Sequence, residues 1–267
     1  MNSAILPGVP NTHPGSFRLF RIAGIDVFLH WSWLLVAYIF FQWRPLAADP
    51  KWHILTYLSL FGIVLLHEFG HALACRSVGG TARTIVLWPL GGIAFVNPPP
   101  RPGAVLWSIA AGPLVNVLLV PVTIALAIWA DVPADPELAA TDFEKYVLML
   151  TAINIGLLVF NMLPIYPLDG GQIVQAILWF FMGRARSLRI TAWFGLICAA
   201  AGVIYALSQR DTWLVILGLF IGWRAWAGVQ IARWLAEHEA REASAGALAE
   251  GPVLEDDRGH RSKIIDP

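Results

Sequence analysis

Long apolar segments, separated by short polar or Gly- and Pro-containing turns, dominate the pattern along this chain of 267 residues. A helix needs about 20 apolar residues to cross the roughly 30 Å hydrocarbon core of a bilayer. Six segments have about that length: 27–43, 54–78, 104–129, 146–163, 190–207 and 213–235. The pattern therefore predicts an all-α polytopic membrane protein with about six transmembrane helices, and a further short apolar helix over 171–182.

The stretch between the second and third segments interrupts this helical pattern. Short β-rich runs at 84–87 and 93–96 are separated by Pro89 and by Gly91-Gly92, which favours two strands and a turn. Because the stretch is too apolar for a solvated loop, we expect a β-hairpin that re-enters the membrane, where it is buried in protein or lines a cavity. An ordinary apolar loop is the alternative.

The pattern divides the chain into three regions. Residues 1–26 are expected to be a cytoplasmic lead-in, 27–235 the membrane core, and 236–267 a charged, disordered cytoplasmic tail. The first apolar segment has some features of a signal peptide. It carries Trp33 and Trp43 and is long for a signal core, so we expect it to be retained as a span.

Composition agrees with a membrane protein and excludes several other classes. Hydrophobic residues make up 57% of the chain and charged residues only 13%, against about a quarter charged in soluble domains. The net charge is zero, so nothing indicates binding to nucleic acid. Cys75 and Cys198 both lie in apolar segments, which disfavours a disulfide framework or a Cys-rich zinc site. Any metal ion would therefore be bound by histidine and carboxylate.

Charged residues near the segment ends predict the orientation. Arg76, Arg83 and Arg101 surround the end of the second segment and the loop after it, and three arginines follow the fourth, whereas the loop after the third is acidic. Because positive loops stay in the cytoplasm, six spans place both termini there, in a multi-pass protein of the cell membrane. The ends of the second and fourth segments then lie on the same, cytoplasmic side.

Three ionisable residues, His67, Glu68 and His71, follow thirteen uncharged residues of the second segment. Histidines at i and i+4 project from one face of a helix and can hold a Zn²⁺ ion, and a Glu beside them can take a proton from the attacking water. Ionisable groups are costly inside a membrane, so their presence favours a functional site. The alternative is a buried polar trio held by hydrogen bonds.

Asp169 is the candidate for a third ligand. It is the only acid between Glu144 and Asp211, and it follows a helix broken by Pro164 and Pro167. Because its predicted position lies on the same side of the membrane as the histidine pair, we expect the three to meet; a helix-capping Asp is the alternative. Three protein ligands leave a fourth tetrahedral position open, which is typical of a catalytic zinc ion, here one per chain.

Buried amides and the hairpin supply candidate substrate contacts. Asn161 or Asn116 is expected to stabilise the oxyanion formed at a substrate carbonyl, although interhelical hydrogen bonding explains Asn116 equally well. A substrate helix has to unwind before its carbonyls are exposed. The edge of the hairpin, with Leu87, Gly91 and Gly92, would receive the unwound segment by β-addition.

With these motifs the chain resembles the site-2 protease family of intramembrane zinc metalloproteases, peptidase family M50. The motifs are HEFGH at 67–71, PLGG at 89–92, GPLVN at 112–116, FNMLP at 160–164 and LDGG at 168–171. The resemblance implies that His67, His71 and Asp169 bind zinc and that Glu68 is the catalytic base. It also implies that Asn161 contacts the substrate near the scissile bond and that residues 85–95 form the re-entrant hairpin.

The resemblance further implies single-span membrane proteins as substrates, cleaved within the lipid bilayer. The chain is similar to the compact six-span branch of the family, without an inserted PDZ domain or C-terminal CBS domains. Two other classes are an ion-binding membrane transporter and an inactive scaffold that binds membrane helices. The absence of a visible repeat disfavours the first, and the intact Glu68 disfavours the second. The sequence indicates no oligomeric state.

Overall fold

The computed structural model describes residues 15–42, 49–88, 91–133, 141–249, 253–255 and 261–263. Within these ranges the chain is mostly helical, with one four-stranded and one two-stranded sheet. The chain divides into two compact units. The first comprises Met1–Pro164 with Leu168–Ile173, and the second comprises Ile165–Pro167 with Val174–Pro267.

Seven α-helices account for most of the described residues. They are α1 (Trp33–Gln42), α2 (Pro50–Ser77), α3 (Pro102–Trp129), α4 (Asp142–Asn161), α5 (Asp169–Met182), α6 (Arg184–Ser208) and α7 (Thr212–Ala249). Five of them, α2, α3, α4, α6 and α7, are long and apolar enough to cross a membrane. Each of the five corresponds to one predicted segment, and the short apolar helix predicted over 171–182 is α5.

The first predicted span has a different structure. Strand β2 (Ile25–His30) occupies its beginning, and only the ten residues of α1 are helical. A helix of ten residues is about 15 Å long, which is half the thickness of the hydrocarbon core. The prediction of one helix over 27–43 is wrong because strands on both sides of β2 hydrogen-bond to its backbone, and this tertiary pairing outweighs the local pattern.

Strand β1 (Ser16–Ile22) lies in the region predicted as a lead-in, of which residues 1–14 are outside the described residues. β1 and β2 pair antiparallel through the turn Ala23-Gly24, in which both residues have positive φ. Two-residue turns of this kind match the twist of a hairpin. Residues 16–26 of the predicted lead-in are therefore part of a β-hairpin, and their cytoplasmic location stays a prediction.

Arg76, in the last turn of α2, holds this hairpin in place. Its Nε donates to the carbonyl oxygen of Ala82 at 2.8 Å, and its Nη atoms donate to the carbonyl oxygens of Ala23 and Gly24. Because the guanidinium group presents several donors in a fixed plane, a single side chain reaches all three carbonyls. The end of α2, the β1–β2 turn and the next strand of the sheet are thereby joined.

The predicted hairpin consists of β3 (Thr81–Trp88) and β4 (Gly91–Asn97), which pair antiparallel with Ile85 opposite Ala94. Both strands are longer than predicted, and Pro89 and Leu90 lie outside the described residues. The sheet has the order β1-β2-β3-β4, with β2 and β3 parallel and Val27 opposite Ile85. The hairpin is thus half of a larger sheet, and β4 is one of its two edges.

The sheet packs against α2, the helix that carries the predicted His-Glu-His site. Side chains from both elements form one buried cluster, which contains Ile25, Val27, Ile85 and Leu87 from the sheet and Val64, Ala72 and Cys75 from α2. Alternate residues of a strand point to the same face, so β2 and β3 present these side chains together. The contact fixes the position of β3 and β4 relative to the second half of α2.

In the second unit, α6 and α7 pack side by side and hold Tyr166. The Tyr166 ring lies against Gly228 of α7 and its carbonyl oxygen against Gly195 of α6, where an added Cβ would collide with Tyr166. Helix α7 continues to Ala249, and β5 (Val253–Glu255) pairs with β6 (Arg261–Lys263). The described parts of the region predicted as a disordered tail therefore have secondary structure.

Candidate metal centre

The three predicted ligands meet at a buried point in the first unit. His67 and His71 are one helical turn apart on α2, and Asp169 is the first residue of α5. The Nε2 atoms of the two histidines are 3.1 Å apart. Oδ2 of Asp169 lies 3.0 Å from Nε2 of His67 and 3.5 Å from Nε2 of His71. None of the three residues is more than 8% exposed, so bulk water is excluded from the point where they meet.

The other ring nitrogen of each histidine determines where the imidazole proton lies. Nδ1 of His71 is 2.9 Å from the carbonyl oxygen of Ser108, which can only accept, so Nδ1 donates. Nδ1 of His67 is 2.6 Å from Oδ1 of Asn116 and donates to it in the same way. In the neutral imidazoles, both Nε2 atoms then carry a lone pair, and both face Asp169.

Three lone-pair atoms in mutual contact, with no proton between them, are stable only around a cation. Oδ2 of Asp169 is buried and has no hydrogen-bond partner among the described residues, although both Nε2 atoms lie close to it. This is expected when both imidazoles carry their proton on Nδ1. Ligand atoms about 2.0 Å from a tetrahedral zinc ion are about 3.3 Å apart. The three separations of 3.0, 3.1 and 3.5 Å agree with that spacing, so the residues fit a zinc ion bound by two nitrogens and one oxygen.

Two glycines allow α3 to approach the histidine pair closely. A Cβ at Gly112 would lie 2.9 Å from Nε2 of His67 and would collide with the ring of His71. A Cβ at Gly70 would lie 2.6 Å from the carbonyl oxygen of Ala111. Small residues at such contacts let two membrane helices touch along their backbones. The GPLVN sequence therefore places the backbone of α3 directly against the candidate ligands.

A third glycine shapes the turn that delivers Asp169. A Cβ at Gly170 would lie 2.5 Å from the carbonyl oxygen of Leu163 and would collide with that of Met162. The start of α5 therefore folds back onto the end of α4, and only glycine fits at this contact. This close approach explains why Asp169 is followed directly by glycine.

Glu68 lies beside the ligands on α2 and is 6% exposed. Its Oε2 accepts a hydrogen bond of 2.8 Å from the backbone N–H of Ala94 on β4. In an antiparallel ladder, a residue that donates away from its partner strand belongs to a non-hydrogen-bonded pair, here Ala94 with Ile85. The outer edge of β4 is thus in contact with the carboxylate between the two histidines.

The structure does not place Asn116 or Leu87 where a substrate would meet them. Asn116 is fully buried, with Oδ1 bonded to His67 and Nδ2 donating to Oδ1 of Asn154 at 2.9 Å. Leu87 is fully buried in the cluster between the sheet and α2. In the structure both side chains are therefore committed to the interior, and a substrate contact at these two residues stays a prediction.

The remaining predicted substrate residues lie at two other positions near the site. Gly91 and Gly92 begin the edge strand β4, opposite Trp88 and Leu87. Asn161 is the last residue of α4 and is partly exposed. Glycines at a strand edge leave room for a second backbone. These positions are compatible with a substrate contact.

Sequence reasoning missed three partners of the site. Ser108 and Ala94 act through backbone atoms, which no residue type reveals. Asn154 acts through its side chain, and the available signal was a buried amide in an apolar segment. The sequence does not show which helix faces pack together, so it could not predict that Asn154 bonds to Asn116.

Comparison with known proteins identifies two matching family models. A model described as Peptidase M50B-like matches residues 32–163, and one described as Peptidase family M50 matches residues 123–205. Together they extend without a gap from residue 32 to residue 205 and include the three candidate ligands and Glu68.

Two relatives and one solved structure are similar to this chain. A zinc metalloprotease of Methanocaldococcus jannaschii is 30% identical over 208 residues, which are 77% of this chain and 58% of that protein. Stage IV sporulation protein FB of Bacillus subtilis is 33% identical over 128 residues, 46% of this chain and 40% of that protein. The solved site-2 protease from Methanocaldococcus jannaschii superposes with a TM-score of 0.59 at 28% identity, covering 80% of this chain and 95% of that one. The chain thus spans less than two thirds of these two relatives.

Proposed function

We propose that this chain, a member of peptidase family M50, the site-2 protease family, is a zinc endopeptidase. In this proposal it hydrolyses peptide bonds within the membrane. The observation that carries the proposal is the meeting of His67, His71 and Asp169 around one point, with Glu68 on the same helix. Three protein ligands leave one tetrahedral position open, as in catalytic zinc sites.

Glu68 is the general base and acid of the proposed reaction. When bound, a zinc ion supplies a water of lowered pKa and polarises the substrate carbonyl. Glu68 accepts a proton from the attacking water as its oxygen adds to the carbonyl carbon, and delivers the proton to the nitrogen as the C–N bond breaks. Because the Ala94 N–H occupies Oε2, Oε1 is the oxygen left for this transfer.

The proposed membrane arrangement has six crossings, of which the first is part strand and part helix. Arg76 bonds to Gly24, and Tyr57 donates its hydroxyl to the carbonyl oxygen of Trp33 at 2.9 Å. Between Tyr57 and Arg76, α2 rises about 28 Å. Residues 24–33 therefore run along most of the length of α2, and α1 continues beyond them. This course supports a crossing that begins in β2 and ends in α1.

We also propose that the β3–β4 hairpin re-enters the membrane. Ala94 of β4 contacts Glu68, which lies about 14 Å along α2 from its end at Ser77. That distance is almost half of the hydrocarbon thickness of about 30 Å. Irregular or stranded backbone at such depth is tolerated where protein covers it, and the contact of the sheet with α2 provides this cover.

Six crossings place both termini on one side of the membrane. Arginines at the end of α2, in the loop after it and at the start of α6 assign that side to the cytoplasm, and the acidic start of α4 lies on the other. The proposed location is the cell membrane. The metal centre then lies toward its cytoplasmic face.

The proposed substrates are single-span membrane proteins that enter the site as an extended strand. The outer edge of β4 carries backbone groups that point away from β3, as the N–H of Ala94 does. An extended peptide pairs with such an edge through main-chain hydrogen bonds. Gly91 and Gly92 leave space at the start of the edge, and Asn161 offers an amide close to the turn that carries Asp169.

The experiment compares the wild type with Glu68→Gln as full-length chains purified in detergent. Zinc per chain and cleavage of a panel of single-span substrates are measured for both, with Glu237→Gln, an exposed position on α7, as the matched control. We expect one zinc ion in all three proteins and cleavage reduced about 100-fold or more only in Glu68→Gln. Absence of zinc from the wild type would contradict the site, and equal cleavage by Glu68→Gln would contradict the role of Glu68.

A further inference from the structure

A chain of buried hydrogen bonds connects His67 on α2 with Asn154 on α4. Nδ1 of His67 is 2.6 Å from Oδ1 of Asn116, and Nδ2 of Asn116 donates to Oδ1 of Asn154 at 2.9 Å. Nδ2 of Asn154 donates to the backbone carbonyl oxygen of Asn116 at 3.0 Å. Both amide residues are 0% exposed, so solvent does not compete for any of these bonds.

The backbone carbonyl of Asn116 determines how the side-chain amides of Asn154 and Asn116 are oriented. A carbonyl oxygen only accepts, so it must face Nδ2 of Asn154, and Oδ1 of Asn154 then faces the side chain of Asn116. Oδ1 of Asn154 requires a donor, which is Nδ2 of Asn116. Oδ1 of Asn116 is left toward His67, and the imidazole proton of His67 must therefore lie on Nδ1.

The opposite orientation of Asn116 would be incompatible with a bound cation. If its amide turned by half a rotation, Nδ2 would face Nδ1 of His67, and the imidazole proton would move to Nε2. That proton would then lie between His67 and Asp169, whose Oδ2 is 3.0 Å away. His71 is independent of this effect, because its Nδ1 donates directly to the backbone carbonyl of Ser108.

We infer that Asn154 is a positioning residue of the metal centre, which acts through Asn116 to keep His67 in the tautomer that binds a metal ion. Asn154 has no hydrogen bond to any of the three candidate ligands among the described residues. The inference rests on the proposed function, since it concerns the same metal centre. Loss of an outer partner of a metal-binding histidine typically lowers metal affinity about 10–100-fold.

A purely structural role for the two amides makes a different prediction. If Asn154 only joins α3 to α4, its removal lowers the stability of the fold, and the metal affinity of the folded protein stays unchanged. If Asn154 orients Asn116, its removal changes the metal affinity and the position of the His67 proton. The two roles are therefore separated by measurements on folded protein.

The test uses Asn154→Leu. The leucine side chain is similar in size to asparagine and neither donates nor accepts a hydrogen bond. The control is Thr151→Val on the same helix, where the hydroxyl donates only within α4, to the carbonyl oxygen of Val147 at 3.0 Å. Zinc affinity is measured by chelator competition on the full chain in detergent, and unfolding temperature on the metal-free chain. We expect zinc binding about 10–100-fold weaker in Asn154→Leu and unchanged in Thr151→Val.

A second measurement does not depend on metal or on activity. The ring ¹⁵N shifts of labelled histidine in the metal-free chain show which nitrogen carries the proton, and the His67 signal is identified by its loss in His67→Gln. We expect Nδ1 of His67 to carry a proton in the wild type and to have lost it in some or all of the Asn154→Leu molecules. If Asn154→Leu does not fold, the smaller change Asn154→Ser is compared in the same way.

Unchanged zinc affinity together with an unchanged His67 tautomer would overturn the inference. The effect of Asn154→Leu should also disappear when Asn116 is already replaced by Ala, and an additive effect would contradict action through Asn116. A wild type that binds no zinc but shows the expected shift in tautomer would refute the proposed function while supporting the hydrogen-bond relay.

Discussion

Oε2 of Glu68 and the backbone N–H of Ala94 form a hydrogen bond of 2.8 Å between α2 and the outer edge of β4. The bond joins the proposed catalytic base to the strand edge proposed to receive the substrate. While Ala94 holds Glu68, it fixes the direction of the carboxylate. A substrate strand that pairs with β4 at the same residue competes with Glu68 for this donor.

Replacing Ala94 with Pro removes the N–H and leaves every candidate ligand in place. We expect the turnover number to fall about tenfold or more, because Glu68 loses its anchor, and zinc content to stay at that of the wild type. Steady-state cleavage and zinc analysis on the same preparation check this. The result that would contradict the anchor is wild-type turnover in Ala94→Pro.

Val96→Pro is the matched control for this change. Val96 lies two residues after Ala94 on β4, so its N–H points away from β3 at the same edge. Among the described residues, only the N–H of Ala94 bonds to Glu68. We expect Val96→Pro to raise KM, because one substrate pairing position is lost, with little change in turnover number. An equal loss of turnover number in both variants would show that turnover depends on the whole β4 edge and not on the bond between Ala94 and Glu68.

Gly112→Ala should abolish zinc binding without altering a ligand. The added Cβ would lie 2.9 Å from Nε2 of His67 and would collide with the His71 ring, so the two nitrogens cannot keep their positions. The measurement is zinc per chain, which we expect to fall well below one. Gly62→Ala, on α2, is the control, since its Cβ meets nothing within 4 Å and alanine favours a helix by about 0.5–1 kcal/mol. Full zinc occupancy in Gly112→Ala would mean that α3 moves away easily.

Arg76→Lys tests how the N-terminal hairpin is held. A lysine ammonium is a compact group and does not reproduce the bonds to Ala23, Gly24 and Ala82. We expect a loss of about 1–3 kcal/mol, seen as a lower unfolding temperature in detergent. The same change at Arg83, exposed on β3, should leave the temperature within error. A similar decrease in both variants would show that the loss of stability does not come from these three bonds.

The membrane-spanning parts of α2, α3, α4, α6 and α7 follow directly from the sequence because each contains a long apolar run with few charges. The end of α7 does not, because its residues after 235 are rich in charge. The candidate ligands could be predicted for the same reason. Ionisable residues such as His67 and Asp169 are rare in apolar segments, and the charge in the loops predicts that both lie on the same side of the membrane. The geometry in which they meet agrees with that expectation.

The first segment and the hydrogen-bond partners could not be predicted because they depend on tertiary contacts. Residues 27–30 are as apolar as a membrane helix, and only pairing with β1 and β3 makes them a strand. Leu87 lies beside the turn in sequence, yet its side chain faces α2. Asn116 was equally compatible with two roles until the position of Asn154 was known.

The parallel pairing of β2 with β3 joins the proposed substrate-binding hairpin to the N-terminal hairpin. If the hairpin were an isolated flap, it would swing alone between α2 and the lipid. Instead Leu29 of β2 and Leu87 of β3 lie opposite each other on neighbouring strands. Arg76 of α2 also donates hydrogen bonds to Ala82 of β3 and to Gly24 in the β1–β2 turn. The four strands are therefore joined into one sheet, and the edge of β4 beside Glu68 is the one with which no other strand of the described residues pairs.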